Sequence, residues 1–441
     1  MDPQIELLKL VLPELLVDFF DFMKVEKQNE TLHLYFEELN KPPTEHLHKE
    51  LISKGFHDEI TIQDFPLRGK HVFLHVKRRR WTDKNTKEIV QRDWNIVAKG
   101  TRMTDEFASF LKKSVASKPF SCHTIGSFYG VKGKKLQRQH KDWLSDFRNW
   151  EQLAHAKEYL LFTDNIGTHL SLDETSLSQG ELYTIITNKA AKGKQGSIVA
   201  IITGTNSEYI TTILQKIPLK LRKKVVEITL DMAGSMNLIA KRNFPDAVLV
   251  TDRFHVEKLA LEAVQELRVK HRWEALDAEN EAIEKAKNQK KAYHPVILEN
   301  GDTIRQLLAR SRYVLYKKPS KWTFNQKQRA EILFYLYPDI QIAYQLAQQL
   351  KGIFEQTKDK IYAYTKLAKW HEKVTKAGFK SFNSISRTIQ NHYKTILNYF
   401  DNRSTNASAE AFNAKIKAFR SQFRGVRDIQ YFLFRLTQIY A

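Results

Sequence analysis

Three carboxylates in this 441-residue sequence occupy positions from which they could share divalent cations. Asp173 and Asp231 come at the ends of two predicted strands, HLSLDETSL and VVEITLDMAG, and Glu410 lies in a predicted helix. Two magnesium ions about 3.5–4 Å apart need bridging carboxylates from different elements, so that one activates the attacking oxygen and the other the leaving oxygen. A single strand-end aspartate more often forms a turn, but the three together favour a site for two Mg2+ (or Mn2+) ions.

The stretch Ser404 to Arg424 predicts the amphipathic helix that carries Glu410. Its apolar residues recur at i, i+4, i+7 and i+11, which is one buried face of a helix. They are Phe412, Ile416, Phe419 and Phe423. A second face, at the same spacing, holds Asn406, Glu410, Asn413 and Lys417. The helix therefore offers a rigid carboxylate to a site that other elements begin.

The elements that would position Asp173 and Asp231 alternate between residues 159 and 256. Three leading hairpin-type strands are predicted over HLSLDETSL, ELYTIITNKA and SIVAIITG. Helices and parallel strands then alternate over SEYITTILQKI, VVEITLDMAG, SMNLIAKRNF and DAVLVTDRFH. This order is typical of an α/β layer arrangement. From His255 to about Phe400 the pattern is almost entirely helical, which predicts an inserted all-helical domain.

The composition indicates a folded protein with a polyanionic partner. There are 71 Lys+Arg against 50 Asp+Glu, a formal net charge of +21, and 42% of the residues are apolar. Such a surplus favours nucleic acid first and a membrane surface second. The length predicts two or three domains at about 100–200 residues each.

Compartment and redox chemistry are limited by what the sequence lacks. No run reaches the about 18–20 apolar residues that span a bilayer, and MDPQIELLKLVLPELL has acids and two prolines in place of a signal-peptide pattern. The sequence predicts a soluble, cytoplasmic protein. Cys122 is the single cysteine, which excludes an intramolecular disulfide and a multi-cysteine zinc site.

Residues 1–100 predict a basic α+β region. The first 60 alternate helical and strand-like pieces and indicate either a structural support or a self-association surface. A strand from His71 to Val76 then ends in four cations, Lys77, Arg78, Arg79 and Arg80. They would repel one another unless phosphates lie nearby, so we expect DNA contact, with a solvated surface as the equal alternative.

Residues 101–146 predict a helix-turn-helix. Thr104 would cap its first helix, and the stretch from Phe107 to Lys141 has eight Lys/Arg and no acid. The third helix fits a recognition helix on a phosphate backbone. Its cations are Lys132, Lys134, Lys135 and Arg138. Gln137, Arg138 and Gln139 are expected to reach base edges, and a plain protein contact is the alternative.

Three blocks resemble bacterial insertion-sequence transposases of the DDE class, above all the ISL-three-like group: LDETSL, TLDMAGSMNLIAKRNFPDAVLVTDRFHVEKL and STNASAEAFNAKIKAFR. The resemblance covers about Leu172 to the C-terminus, and its middle block is the most specific. It implies a ribonuclease-H-like catalytic core with a helical insertion. It also implies that Asp173, Asp231 and Glu410 are the catalytic, metal-binding triad, with Glu174 as the alternative to Asp173.

The segment DRFH resembles a further feature of related transposases, an acid or cysteine followed after two residues by a histidine. This implies that Asp252 and His255 position DNA at the active site; alternatively, Asp252 caps the next helix and His255 packs at its start. Trp322 could stack on an unpaired base or pack in a helical core. Lys415 and Lys417, on the helix that carries the predicted catalytic glutamate, are expected to contact DNA.

Many members of this group begin with a cysteine-rich zinc ribbon, which a chain with one cysteine cannot form. Either the basic strand from His71 to Arg80 keeps the fold of the ribbon without metal, or the recognition of DNA ends rests on the helix-turn-helix alone.

Together these features predict a DNA transposase that binds the terminal inverted repeats of its mobile element, cleaves there and joins the freed 3′-hydroxyl to target DNA. We expect double-stranded DNA as its partner, a homodimer or higher oligomer on DNA, and association with the nucleoid. One alternative is a non-catalytic DNA-binding regulator or an inactivated relic. Another is a structure-specific nuclease, which would lack a sequence-reading module.

The predicted domain organisation follows the motifs. Residues 1–100 form the basic α+β region and residues 101–150 the helix-turn-helix domain. The ribonuclease-H-like catalytic domain combines 159–258 with 401–441, and the helical insertion covers 259–400.

Overall fold

The computed structural model describes residues 3–46, 48–92, 94–178, 180–423 and 426–441. The chain forms two compact units. The first comprises Met1–Leu160, Ser176–Glu181 and Ala414–Ala441, and the second comprises Leu161–Thr175 and Leu182–Asn413. Arg424, the predicted last residue of the Glu410 helix, lies outside the described residues. Within the described ranges, no helix combines the length and apolar character that a membrane span requires.

The first unit begins with two small sheets. Two helices precede them, Pro3–Lys9 and Glu14–Phe19. The four-stranded sheet has the order Phe20–Gln28, Thr31–Glu38, Lys70–Lys77 and Ile60–Leu67. The three-stranded sheet has the order Leu51–Phe56, Arg79–Asp83 and Ile89–Val90. Val72, Leu74 and Val76 are buried, because alternate side chains of a strand share one face.

Three consecutive helices follow in the first unit, Asp105–Ser117, Cys122–Phe128 and Gly133–Gln139. The predicted cap is confirmed, since the Thr104 side chain accepts a hydrogen bond from the backbone N–H of Phe107. A Cβ atom at Gly133 would lie 2.4 Å from the Cα of His123, so the close approach of the second and third helices requires glycine there. The unit is completed by the helical turns His140–Leu144, Asp146–Asn149 and Leu153–His155, and by the C-terminal helix Ile429–Tyr440.

The second unit contains a mixed sheet. Its strands have the order Val248–Thr251, Glu227–Leu230, His169–Ser178, Glu181–Asn188 and Ile198–Thr203. The first three are parallel, and the last two pair antiparallel. Along the chain, the second unit begins at Leu161, within a short strand, Tyr159–Leu161. The helices Ser207–Leu214, Leu219–Arg222 and Gly234–Asn243 connect the later strands.

From Arg253 to Asn402 the described residues of the second unit are mainly helical. The longest helix, Arg253–Asn288, begins directly after the strand Val248–Thr251. The others are Ile304–Arg310, Arg312–Tyr316, Phe324–Leu336, Pro338–Gln356, Lys360–Ala377, Lys380–Asn391, Tyr393–Leu397 and Tyr399–Asn402. They share one apolar core, which includes Leu307, Leu350 and Phe382. The Glu410 helix then spans Ala407–Ser421.

This arrangement confirms the predicted α/β class. Each strand and helix predicted between residues 169 and 255 is present. One detail is wrong: Asp173 does not end its strand, which continues to Ser178. The strand continues because its hairpin partner Glu181–Asn188 lies beside it, whereas its recorded parallel pairing ends at Ser171. Ala414–Ala441 belongs to the same compact unit as the N-terminal region. The four predicted domain boundaries remain predictions.

Candidate active site

Three aspartates lie at the same level of three neighbouring parallel strands. Thr229 of the central strand pairs with Ser171 on one side and with Val250 on the other. Two positions further along the chain are Asp173, which lies within its strand, and Asp231 and Asp252, each of which is the first residue after its strand. The three carboxylates lie near one another, since Asp231 and Asp252 both act to raise the pKa of Asp173. We call these three residues the aspartate row.

The Glu410 helix contributes an amide and a carboxylate beside this row. Asn413 Nδ2 donates to Asp173 Oδ2 at 2.6 Å, and Asp173 Oδ1 accepts from the backbone N–H of Glu174 at 2.9 Å. Asn406, one turn before Glu410, is fully buried, and neither its Oδ1 nor its Nδ2 has a hydrogen-bond partner among the described residues. The polar helix face predicted from the sequence therefore meets the sheet at Asp173.

The predicted apolar face of the same helix is buried as expected at three of its four positions. Phe412, Ile416 and Phe419 are at most 1% exposed, and Phe423 is half-buried.

Asp252, His255 and Glu410 form a cluster that could hold a metal ion. Each offers one ligand atom, and these atoms all lie within 4.8 Å of one another. Asp252 caps the helix Arg253–Asn288, because its Oδ1 accepts from the backbone N–H of Phe254. Its other oxygen, Oδ2, is buried without a hydrogen-bond partner among the described residues, as is His255 Nε2.

The electrostatics of the site reflect crowding of acids in a buried place. Burial is the main cause that raises the pKa of Asp173, and the carboxylates of Asp231 and Asp252 raise it further, against lowering by the Glu174 N–H and His255. Burial likewise raises the pKa of Glu410, with Asp252 as the next cause. Repulsion between the ionised acids is thus a secondary cause of both shifts, after burial.

Asp231 and Glu174 are two further acids near Asp173. Asp231 Oδ1 accepts from the backbone N–H of Ala233 at 2.9 Å. Burial raises the pKa of Glu174, and the carboxylates of Asp231 and Asp173 raise it further. Glu174 is thus close enough to remain the alternative to Asp173 as a ligand, as the sequence left open.

A half-buried cation, Lys189, which sequence reasoning missed, lies on the same face of the sheet. Lys189 Nζ donates to Thr229 Oγ1 at 2.8 Å, to Ser404 Oγ at 2.9 Å and to Glu227 Oε1 at 3.4 Å. Lys189 therefore connects the central strand to the segment that enters the Glu410 helix. Nothing local in the sequence marks it, because its three partners come from two distant segments.

The four cations predicted to contact DNA in the first unit are half-buried and largely engaged within that unit. Lys77 Nζ lies 3.0 Å from Glu37 Oε1. Arg79 donates its backbone N–H to Glu38 Oε2 and its guanidinium to Ser53 Oγ. Arg80 donates to the carbonyl oxygen of Lys54 at 3.2 Å, and Arg78 Nε is buried without a partner among the described residues. Internal acids already offset part of the repulsion on which the prediction of DNA contact rested, and that contact stays a prediction.

The cations of the third helix are placed differently. Lys132, Lys134, Lys135 and Arg138 are all exposed. Gln137 is half-buried. Gln139, however, is only 4% exposed, so its predicted contact with a base edge is wrong: it lies on the face of the helix that packs inward. DNA contact by the four cations stays a prediction.

Trp322 lies in the helical region, far along the chain from the other predicted site residues. It is half-buried against the apolar core, and its Nε1 donates to the carbonyl oxygen of Val314 at 3.0 Å. These contacts fit the packing alternative, and base stacking stays untested. Lys415 and Lys417 are exposed on the Glu410 helix.

Of the predicted site residues, the second unit thus brings together Asp173, Asp231, Asp252, His255 and Glu410. Comparisons with known proteins agree with the motifs that pointed to them. A family model described as transposase, of the DDE class and ISL3 group, matches residues 170–436. The transposase for insertion sequence element IS1001 of Bordetella parapertussis is 21% identical over 382 residues, which cover 85% of this chain and 83% of the relative. Because the family match covers more than half of the sequence, the chain belongs to the ISL3-type DDE transposases.

Proposed function

We propose that this transposase cuts DNA at the ends of its mobile element and joins the freed 3′-hydroxyl to target DNA. The observation that carries the proposal is the aspartate row beside the Glu410 helix, which gathers Asp173, Asp231 and Glu410 from three segments distant in sequence. In this proposal the three acids are the catalytic triad and the mixed sheet is a ribonuclease-H-like core. The order of three hairpin-type strands followed by parallel ones supports that assignment.

The donor set fits divalent cations. Asp173, Asp231 and Glu410 supply hard carboxylate oxygens of the kind that Mg2+ and Mn2+ prefer, and Asp252 Oδ2 is buried without a partner within the described part of the chain. Bound at this site, Mg2+ or Mn2+ would activate a water oxygen for attack and stabilise the leaving oxygen of an in-line phosphoryl transfer. Burial and, to a lesser degree, neighbouring acids raise the pKa of Asp173 and of Glu410, and such cations would relieve the repulsion between the acids.

The surrounding side chains have positioning roles in this mechanism. Asn413 holds one oxygen of Asp173, and the backbone N–H of Glu174 holds the other, which fixes the direction of the carboxylate. The Ala233 N–H does the same for one oxygen of Asp231. Lys189 fixes the start of the segment that leads to Glu410 through Ser404. No side chain has to form a covalent intermediate, because both steps are direct displacements at phosphorus.

DNA recognition is assigned to the first unit. We propose that its three consecutive helices act as a helix-turn-helix, with the exposed Lys132, Lys134, Lys135 and Arg138 on the phosphate backbone. The net charge of +21 supports double-stranded DNA as the partner. A homodimer or higher oligomer on the paired ends is part of the same proposal.

The test is to compare cleavage and binding for variants of the triad. Asp173→Asn, Asp231→Asn and Glu410→Gln preserve shape but remove the charges that cations need, so single-turnover cleavage should fall by about 1,000-fold or more. Binding to terminal-repeat DNA should persist. Glu262→Gln, at an exposed position of the helix Arg253–Asn288, is the matched control and should cut at the wild-type rate.

The outcome also separates the proposal from its rival. A regulator or inactivated relic would bind end DNA, and its triad variants would not differ from wild type in cutting. Equal cleavage by wild type and Glu410→Gln in Mg2+ would remove the residue on which the catalytic assignment depends.

A further inference from the structure

We propose that Asp252, His255 and Glu410 form a mixed carboxylate–imidazole subsite that takes a divalent transition-metal ion, with Mn2+ preferred over Mg2+. The subsite shares Glu410 with the triad and in that respect rests on the proposed function. Asp252 and His255 lie outside the triad, and the inference gives them a role as ligands in place of DNA contact.

The positions of Asp252 and His255 on their helix bring the two side chains together. Asp252 is the residue before the first turn of the helix Arg253–Asn288, and His255 is the third residue within it. Side chains at these two positions converge, as in a capping box, where the third residue reaches back towards the cap. A helix N-terminus favours a carboxylate through the helix dipole, and carboxylates and imidazoles are common metal ligands.

The capping role of Asp252 and its role as a ligand use different oxygens. Oδ1 accepts from the Phe254 N–H at 3.4 Å. Oδ2 is buried without a partner among the described residues, although Asp252 as a whole is only 1% exposed. A buried carboxylate oxygen without a hydrogen bond is costly. The alternatives posed by the sequence, helix cap or functional residue, are therefore compatible.

Burial also argues against direct DNA contact by Asp252. A fully buried anion cannot approach a phosphate, and its charge would repel one. A cation beside it would satisfy Oδ2, His255 Nε2 and a Glu410 oxygen at once. Ligands about 2.0–2.2 Å from a shared ion lie at most about 4.4 Å apart, so atoms already within 4.8 Å need little movement.

The imidazole sets the metal preference. Mg2+ favours oxygen ligands throughout and binds imidazole poorly, whereas Mn2+ accepts both oxygen and imidazole nitrogen. The remaining acids of the row, Asp173 and Asp231, offer oxygens alone. The subsite with His255 should therefore be the one that discriminates between the two ions.

The test uses the full chain and Mn2+ alone, without DNA. Titration calorimetry should give Mn2+ binding that weakens by about 10-fold or more in Asp252→Asn and His255→Gln, while His255→Gln changes Mg2+ affinity by less than about 3-fold. Pulsed electron paramagnetic resonance of bound Mn2+ should show nitrogen coupling in wild type, and His255→Gln should lose it. Asp359→Asn is the matched control, because Asp359 caps the helix Lys360–Ala377 at an exposed position.

Asparagine caps helices as well as aspartate, so Asp252→Asn should keep its thermal midpoint in EDTA. Nitrogen coupling that persists in His255→Gln, or wild-type Mn2+ affinity in both variants, would overturn the subsite. Such a result would leave the triad assignment intact if Asp173→Asn still fails to cut. Conversely, triad variants that cut normally would overturn the proposed function, while the nitrogen coupling would still decide the subsite.

Discussion

Asp252 and Asp302 are equally buried aspartates of the second unit, each 1% exposed, yet their surroundings are opposite. Asp302 Oδ2 accepts from Arg329 Nε at 2.9 Å and from Asn300 Nδ2 at 3.0 Å, and Oδ1 accepts from Arg310. Burial acts to raise the pKa of Asp302, but the hydrogen bonds from Arg329 and Arg310 outweigh it and hold the pKa below its usual range.

Among the described residues, Asp252 has no comparable partners. It accepts one long hydrogen bond from its own helix, and its neighbours include the acids Asp173 and Glu410, whose pKa values it helps to raise. The difference indicates how to separate structural from functional acids. A structural acid is paired with cations of the chain, whereas a buried acid without such partners in the folded protein is suited to a ligand from solution.

Lys189 and Glu227 form a second pair of a buried acid with a cation of the chain. This pair lies close in the fold to the aspartate row. Glu227 is 2% exposed, and Lys189 Nζ reaches one of its oxygens at 3.4 Å. Burial is the main cause that lowers the pKa of Lys189, and Glu227 acts to raise it. The same face of the sheet thus contains charged groups that are paired within the chain and acids that lack such a partner among the described residues.

The largest effect on stability is expected at this pair. Lys189→Met leaves Glu227 buried without its cation, so the free energy of unfolding should fall by about 3–5 kcal/mol. Chemical denaturation in EDTA measures it. Lys220→Met, at an exposed lysine, should change stability by less than about 0.5 kcal/mol.

The double variant Lys189→Met with Glu227→Gln sharpens this prediction. Removing both charges should recover at least half of the loss, because the uncompensated anion is its main cause. A single variant as stable as wild type would mean that Glu227 does not depend on Lys189.

A smaller loss is expected for Asp302→Asn. The amide weakens the charged hydrogen bonds from Arg329 and Arg310, so the free energy of unfolding should fall by about 2–3 kcal/mol. The same substitution at Asp252 should change it by less than about 1 kcal/mol in EDTA, because the cap is retained and repulsion among acids falls. Equal losses at the two positions would contradict the distinction between buried acids that are paired with cations of the chain and buried acids that are not.

The smallest expected effect is the change in the Asp302 contribution with pH. The pKa of Asp302 lies below its usual value of 3.8 in the folded protein, so the unfolded chain binds the proton more readily. The contribution is therefore fully present above the unfolded pKa and is lost as pH falls through the folded pKa. The difference between wild type and Asp302→Asn in denaturation should be constant from pH 7 to about 5 and shrink below about pH 4. A difference that grew on acidification would show that the arginines do not stabilise the ionised form.

Much of the catalytic unit could be predicted because its elements are encoded locally. Runs such as SIVAIITG and DAVLVTDRFH differ in period and length from the long helical segments, so the order of strands and helices was readable. The spacing of Phe412, Ile416 and Phe419 likewise predicted which face of the Glu410 helix is buried. The motifs around Asp173, Asp231 and Glu410 were sufficient to indicate the transposase family.

The partners of each charge could not be predicted in the same way. The four cations from Lys77 to Arg80 suggested unopposed repulsion, but Glu37 and Glu38 come from a strand about forty positions earlier. Gln139 was expected at a surface and is buried, because the inward face of a seven-residue helix is set by what packs against it and not by its own short pattern.

By itself, then, the sequence determined the family, the α/β class, the succession of elements and which acids lie on or directly after the strands and on the Glu410 helix. The tertiary structure alone decided that Asp252 joins Asp173 and Asp231 in one row, that Glu410 groups with Asp252 and His255, and that Lys189 reaches Ser404. The reason is physical: local periodicity fixes the face of an element on which a side chain lies, whereas strand register and helix packing fix what that face meets, through contacts between residues far apart in the chain.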